Sequence, residues 1–346
     1  MRNHLISASS QHKAATWNHV ATGIDRHRLA APTRAAVDAA HVEAMARTRA
    51  VWWYSLGGLW ILDALLQAQP IMFAGGVVNI VVLPAAQGQP AWVAVPMQWG
   101  MRVWAQHPVW WNAAAVSLEL LIGGLVLLGR RHRSLGRTGL WLSIVWSLIV
   151  WYFGQGLGGL ATDTATYLAG APGSALLYVL LASLLLLPEA AWASPRLLGT
   201  VRAVGAALWA IGALLQLAPL YWSSLGLASV LQSVAMMPLP FGLAALDAPL
   251  VASMSRAPVL WNAALTAIML GLTVLFLLRR GGTQLYILAL VWLVFLWIVF
   301  QGFGMIFSTM ATDPNTPPLW ALLLLPNWFA ARAGAQPRSL QAAHDS

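Results

Sequence analysis

Two carboxylic acids stand inside long apolar runs: Asp63 in VWWYSLGGLWILDALLQ and Glu119 in PVWWNAAAVSLELLIGGLVLL. A carboxylate in hydrocarbon costs about 3 kcal/mol or more, so such a group faces other helices, pairs, or holds a proton. No Lys, Arg or His lies at the depth of either acid in any apolar run. Asp63 and Glu119 are therefore the candidates for catalytic proton exchange. A neutral acid that only donates a hydrogen bond to a neighbouring helix would look the same in sequence.

A second set of polar residues occurs in duplicate. WSLIVWYFGQGLGG (146–159) and WLVFLWIVFQGFGM (292–305) share one pattern: Trp, four residues, Trp, three residues, then Gln-Gly-x-Gly. Gln155 and Gln301 each offer two donors and an acceptor at a helix end, enough to hold a carbonyl or oxyanion, or to tie off unpaired helix carbonyls. Trp151 and Trp297 lie deeper and could line a ligand cleft between two halves, or simply pack. Asp163 and Asp313 each follow Ala-Thr in the loop beyond the motif. They are candidates for a paired polar ligand site at the mouth of such a cleft, or for local loop caps.

These residues need elements to hold them, and the elements are repeated too. Trp60, Gln67 and Pro70 recur as Trp209, Gln216 and Pro219. Pro108, Trp111 and Asn112 recur as Pro258, Trp261 and Asn262, and Arg130 and Arg131 as Arg279 and Arg280. Landmarks in one order at one spacing indicate a tandem repeat of roughly 150 residues.

Composition sets the class. With 59% hydrophobic residues and 8% charged, the chain has too little polar surface to coat a soluble globule of its length. The reading is an all-α membrane protein whose partner is the lipid bilayer. The excess of basic residues follows membrane topology and does not indicate nucleic acid. With no cysteine there is no disulfide and no thiolate metal site. No metal-ligand cluster, phosphate loop or nucleophile triad is visible, and no histidine lies within a span to ligate haem.

Eight transmembrane helices are expected: Val51–Gln69, Val109–Gly129, Gly139–Gln155 and Ser174–Leu187, then Val201–Ala218, Val259–Leu278, Thr283–Gln301 and Leu319–Phe329. Pro326 interrupts the last. Residues 71–107 read as a re-entrant or interfacial segment with Trp92, Trp99 and Trp104 at headgroup depth. The resulting plan is a basic tail (1–50), a first four-helix repeat (51–192), a second (193–330) and a short tail (331–346). Glu43 and Arg47 have helical ion-pair spacing within the first tail. No apolar run lies near the N-terminus as a cleavable signal would place it, so the tail is expected to stay attached. With both termini cytoplasmic in a cell inner (plasma) membrane, 17 of the 19 Lys and Arg fall inside and only Arg102 and Arg256 outside. An even number of spans per repeat makes the two halves parallel, related by a pseudo-twofold axis along the membrane normal. Both Gln-Gly-x-Gly motifs then face outward.

The stretch SLELLIGGLVLLGRRHRSLGR, Ser117–Arg137, resembles the second helix and basic turn of the DoxX-like family of four-helix membrane proteins. Glu119, Gly123 and Gly124 match that family's glutamate and glycine pair. The second copy carries Met269 and a single glycine, Gly271, there. The resemblance implies a subunit of a quinone-linked electron-transfer assembly, with quinone as a possible ligand and a redox protein as a possible partner. The residues alone leave two other roles open, a non-catalytic scaffold or assembly factor and a small-solute transporter.

Overall fold

The computed structural model describes residues 34–345 apart from 193, 236–238 and 241. The expected polar tail therefore lies outside the described residues up to residue 33. Every element among the described residues is helical. The long helices are α1 (Arg34–Gln67), α2 (Ala91–Gln106), α3 (Pro108–Leu128), α4 (Arg133–Ile149), α5 (Ser174–Leu186), α6 (Pro195–Leu215), α7 (Ser224–Ala235), α8 (Ala244–Arg256), α9 (Pro258–Leu277), α10 (Gly282–Val299) and α11 (Thr316–Asp345).

Four of them, α3, α6, α9 and α10, are long and apolar enough to cross a membrane, or five spans if the bent pair at the start counts as one. Their outward surface suits a bilayer: Trp110, Leu214 and Leu260 are 77%, 65% and 71% exposed, an arrangement that water would penalise. The other expected spans are present as helices of different build. Helix α4 begins among basic residues at Arg133, α5 has only 13 residues, about 20 Å at helical rise, and α11 runs through Pro326 into polar sequence.

Three boundaries differ from the sequence expectation. Helix α1 does not begin at Val51 but extends back to Arg34, with Arg47 bound to Glu43 at 2.6 Å and Thr48 fully buried. From residue 34 onward the stretch expected as tail thus continues the helix of the first span. After Gln67 the chain bends by 109° into Met72–Ala86, a wide helical segment broken where Gly75 takes a φ of 94°. The proline-bearing stretch before Pro258, expected as loop, contains α7 and α8, because the apolar run SLGLASVLQSVA can bury one face.

The two halves of the chain pack by the same plan. In the first, α1 lies on α3 and α4 on α5; in the second, α6 lies on α9 and α10 on α11. Helix α11 also lies on α1 and α5, which joins the halves. The α1–α3 crossing is close. A Cβ on Gly57 would come within 2.7 Å of Leu127, and one on Gly123 within 2.9 Å of the Gly57 carbonyl. Gly124, its neighbour in the glycine pair, meets nothing. At the basic end of the bundle, Glu189 accepts from Arg133 at 2.7 Å and from Arg49 at 3.1 Å.

Candidate functional site

The repeated motif builds an unusual turn. Gly156, Leu157, Gly158 and Gly159 all have positive φ, between 52° and 76°, and so do Gly302, Phe303, Gly304 and Met305, between 50° and 66°. Four consecutive left-handed residues reverse the helical sense at the end of each apolar helix. Glycine carries this where other residues lose about 1–2 kcal/mol apiece. Gly158 and Gly304 are also held by space, since a Cβ there would sit 1.9 Å and 2.4 Å from the carbonyl oxygens of Pro172 and Pro314.

Around each turn the same bonds form. Trp151 Nε1 donates to the Pro172 carbonyl at 2.7 Å, and Trp297 Nε1 to the Pro314 carbonyl at 2.8 Å. Gln155 Nε2 donates to Ser174 Oγ, and Gln301 Nε2 to Thr316 Oγ1, in each case the first residue of the next helix. Deeper in each half, Gln67 and Asn112 exchange two bonds at 2.6 and 3.0 Å, and Gln216 and Asn262 do the same at 2.8 Å each. These four amides, visible in the sequence only as repeat landmarks, are buried hydrogen-bond partners.

Each glutamine also reaches the loop of the opposite half. Gln301 Nε2 lies 3.5 Å from the Tyr167 carbonyl, and Gln155 Nε2 lies 3.5 Å from Asp313 Oδ2. The loop after the first motif therefore enters the second half, and the loop after the second motif enters the first.

What each loop inserts is different. The first loop carries Tyr167, fully buried, with its ring centroid 5.6 Å from that of Trp209 and 4.8 Å from that of Trp320. The second loop covers the distance from Gly304 to Pro314 in ten residues, where the first takes fourteen from Gly158 to Pro172. Its one ring, Phe307, stays 50% exposed against Phe303, with centroids 5.4 Å apart, and the residue it brings to the first half is Asp313.

The first half retains a cavity of about 540 Å³. Trp60, Tyr178, Trp104, Trp111, Met97 and Phe153 form much of its wall, and Asp63, Glu119, Ser147, Gln155 and Asp313 supply its polar groups. The two intramembrane acids thus share one chamber. Tyr178 donates its hydroxyl to Asp63 Oδ2, and Trp146 Nε1 donates to Glu119 Oε1 at 3.3 Å. Asp63 Oδ1, Glu119 Oε2, Ser147 Oγ and Trp104 Nε1 are buried without a hydrogen-bond partner among the described residues. Buried polar atoms left unpaired cost about 1–3 kcal/mol each, so four around one cavity require explanation.

Asp313 occupies the motif end of this chamber. Its Oδ1 accepts from the Asn315 amide at 2.7 Å. Burial pushes its carboxyl above the ordinary value, opposed by hydrogen bonds from Ser174, Asn315, Gln155 and Thr312. It also borders a second cavity of about 460 Å³ between the two motifs, lined by Gln155, Gln301, Gly158 and Gly304. Asp163 lies apart, exposed on its loop. Sequence pairing of Asp163 with Asp313 therefore does not correspond to a pair in space. Counted back from the matched prolines, it is Ala171 that takes the place of Asp313.

Trp151 and Trp297, half-buried, brace the loops through their indole N–H groups, and Trp151 is not among the cavity-lining residues. Trp104 and Trp99, expected at headgroup depth, line the chamber, with Trp99 59% exposed on the outside. Sequence reasoning missed Tyr178 and Tyr167, which lie outside the motifs that drew notice, and Ser147, which lies inside the first motif at a position the second copy fills with Leu293; Tyr178 is one helical turn beyond Ser174, the only local signal. Among the described residues no group of three His, Asp or Glu is arranged to hold a metal ion. Compared with protein-family models, with curated proteins and with solved structures, the chain matches none.

Proposed function

We propose that the chain is an eight-span membrane protein made by tandem duplication, whose first half carries an intramembrane site for a lipophilic, ring-bearing molecule. The observation that carries this reading is the set of four unpartnered polar atoms, from Asp63, Glu119, Ser147 and Trp104, on the wall of a largely apolar cavity of about 540 Å³. Apolar walls with a few convergent polar groups, in a volume of this size, are the ordinary chemistry of a small-molecule site.

Duplicated hydrogen bonds at Gln67/Asn112 and Gln216/Asn262, and at Trp151 and Trp297, support the repeat. The clustering of basic residues supports cytoplasmic termini in a plasma membrane. The short α4 and α5 and the proline-bearing α11 complete the eight spans in this reading, α4 by continuing into Val150–Gly154. The DoxX-like resemblance around Glu119 makes a quinone the first ligand class to try and a redox protein the partner to look for. Entry from the bilayer is consistent with Trp99 and Trp111, which both line the cavity and are exposed on its outer side.

The test is mild-detergent purification followed by mass spectrometry of bound lipids and proteins, for the native chain and for Ala115→Trp, which puts an indole into the cavity. A ring-bearing lipid recovered with the native chain and lost with the variant supports the site. Identical recovery from both, with the variant correctly folded, leaves a scaffold instead.

A further inference from the structure

The second half shows how a ring is held in this architecture. Tyr167 comes from the other half's loop and lies against Trp209, Trp320 and Gly212, with a Cβ on Gly212 falling 3.2 Å from the root of the Tyr167 ring and 2.9 Å from Met269 Sδ. By the repeat spacing, and by the shared bonds around both turns, Trp209 corresponds to Trp60, Trp320 to Tyr178, Gly212 to Asp63 and Met269 to Glu119. All four counterparts line the open cavity of the first half. Trp60 and Tyr178 keep the ring contact of Trp209 and Trp320, with centroids 4.6 and 4.5 Å apart. The cavity is thus the first-half equivalent of the space that Tyr167 fills in the second. It stays open because the inserted loop there is shorter and its one ring, Phe307, lies half-exposed against Phe303 and not among the cavity-lining residues.

The changes between the halves then describe the missing occupant. Where the second half has Gly212 and Met269 at the edge of the ring, the first has two carboxyls, each already accepting one hydrogen bond and each with its other oxygen unpartnered. Trp104 Nε1 and the Ser147 hydroxyl, also unpartnered on the same wall, have hydrogens to donate. A group that can donate to the carboxyl oxygens and accept from an indole N–H is a hydroxyl. A ring carbonyl can only accept.

We propose that the first-half cavity is a phenol site: it binds a lipophilic aromatic ring with a free hydroxyl, the ring against Trp60 and Tyr178 and the hydroxyl toward Asp63 and Glu119. Tyr167 is its covalent counterpart in the second half. This rests on the reading of the cavity as a ligand site and adds that a hydroxylated ring is preferred over a dicarbonyl one.

The experiment is isothermal titration calorimetry of the purified full chain in detergent with 4-propylphenol, 4-propylanisole and 2-propyl-1,4-benzoquinone, using Ala115→Trp as the blank for partition into micelles. The phenol should bind about tenfold more tightly than its methyl ether, the effect of one net hydrogen bond. Asp63→Asn with Glu119→Gln, which keeps shape and removes the acids, should shrink that ratio several-fold. Equal affinity for phenol and ether, or tighter binding of the quinone, would overturn the phenol assignment and leave the ligand site standing. Heats no different from those of Ala115→Trp would overturn both. Independently, Tyr167→Leu, which empties part of the second-half space with less loss of packing than alanine, should raise the stoichiometry of 4-propylphenol from one toward two. A stoichiometry unchanged in a folded variant would break the equivalence of ring and cavity, and the proposal with it.

Discussion

The two halves share a scaffold and differ in what fills it. Both turn left-handed at Gln-Gly-x-Gly, both brace the turn with a tryptophan, and both bury a Gln/Asn pair. In the second half the central space is closed by Tyr167 between two tryptophans, and Tyr167 Oη, Trp209 Nε1 and Trp320 Nε1 all lack partners among the described residues. In the first, Trp60 Nε1 donates to Ser143 Oγ at 2.9 Å, Tyr178 donates to Asp63, and a cavity remains. One half is thus plugged by packing, with its ring hydroxyl and indoles unpaired, while the other pairs Trp60 and Tyr178 and leaves space, with the unpaired polar atoms of Asp63, Glu119, Ser147 and Trp104 around it. In the reading proposed above, packing and a ligand-sized opening are divided between the two halves.

That division makes unequal demands on mutation. The largest loss is expected from Tyr167→Ala, which empties the plugged half and should lower unfolding stability by about 3–5 kcal/mol, the usual cost of deleting a buried aromatic side chain. Thermal unfolding in detergent reads this, and a loss below about 1 kcal/mol would mean that the plug bears little weight. Gly212→Asp writes the first-half acid into the second, against Met269 and the root of the Tyr167 ring, with Trp320 standing where Tyr178 pairs Asp63 in the first half. It should cost about 3 kcal/mol, as a buried charge without a partner does. If instead it folds normally and binds ring compounds, the plug is displaceable.

The shared scaffold predicts equality where the filling predicts difference. Asn112→Leu and Asn262→Leu each leave the Nε2 of a buried glutamine, Gln67 or Gln216, unpaired and should each cost about 2 kcal/mol. Denaturant unfolding that found one variant far worse than the other would argue against equivalent halves. The smallest effect concerns Asp313. A carboxyl whose folded pKa is raised contributes stability at low pH that is lost as pH rises through the folded value. The native chain should therefore lose stability relative to Asp313→Asn as pH rises above about 4, in a pH series of unfolding midpoints. A trend of the opposite sign would mean that its four hydrogen-bond donors outweigh its burial.

Much of the scaffold is legible in the order of the residues. Helix ends at Gln67, Leu128, Leu186 and Leu277 fall within a few residues of those expected from apolar runs and basic turns, because membrane helices announce themselves by length and hydropathy. The extension of α1 to Arg34 is legible only in the helical spacing of Glu43 and Arg47, since the stretch carries no apolar periodicity. Nor are α7 and α8, hidden by the prolines around them. Of the site, Asp63 and Glu119 stand out because acids are rare in apolar runs, and Gln155, Gln301, Trp151 and Trp297 because they are written twice. Asp163 misleads for the same reason: its Ala-Thr-Asp matches that of Asp313 locally, but the loops differ in length and place the two acids in unlike surroundings.

By itself the sequence determined the helical class, the doubled motif and the left-handed turn it imposes, since glycine, apolar length and repeat spacing act through the chain nearby. Only the tertiary structure decided which loop enters which half. Gln155 meets Asp313 across 158 residues and Gln301 meets Tyr167 across 134. Such contacts depend on loop length and on the shape of the receiving space, and no local pattern encodes either. That crossing filled one bundle with a ring and left the other with a cavity between two acids.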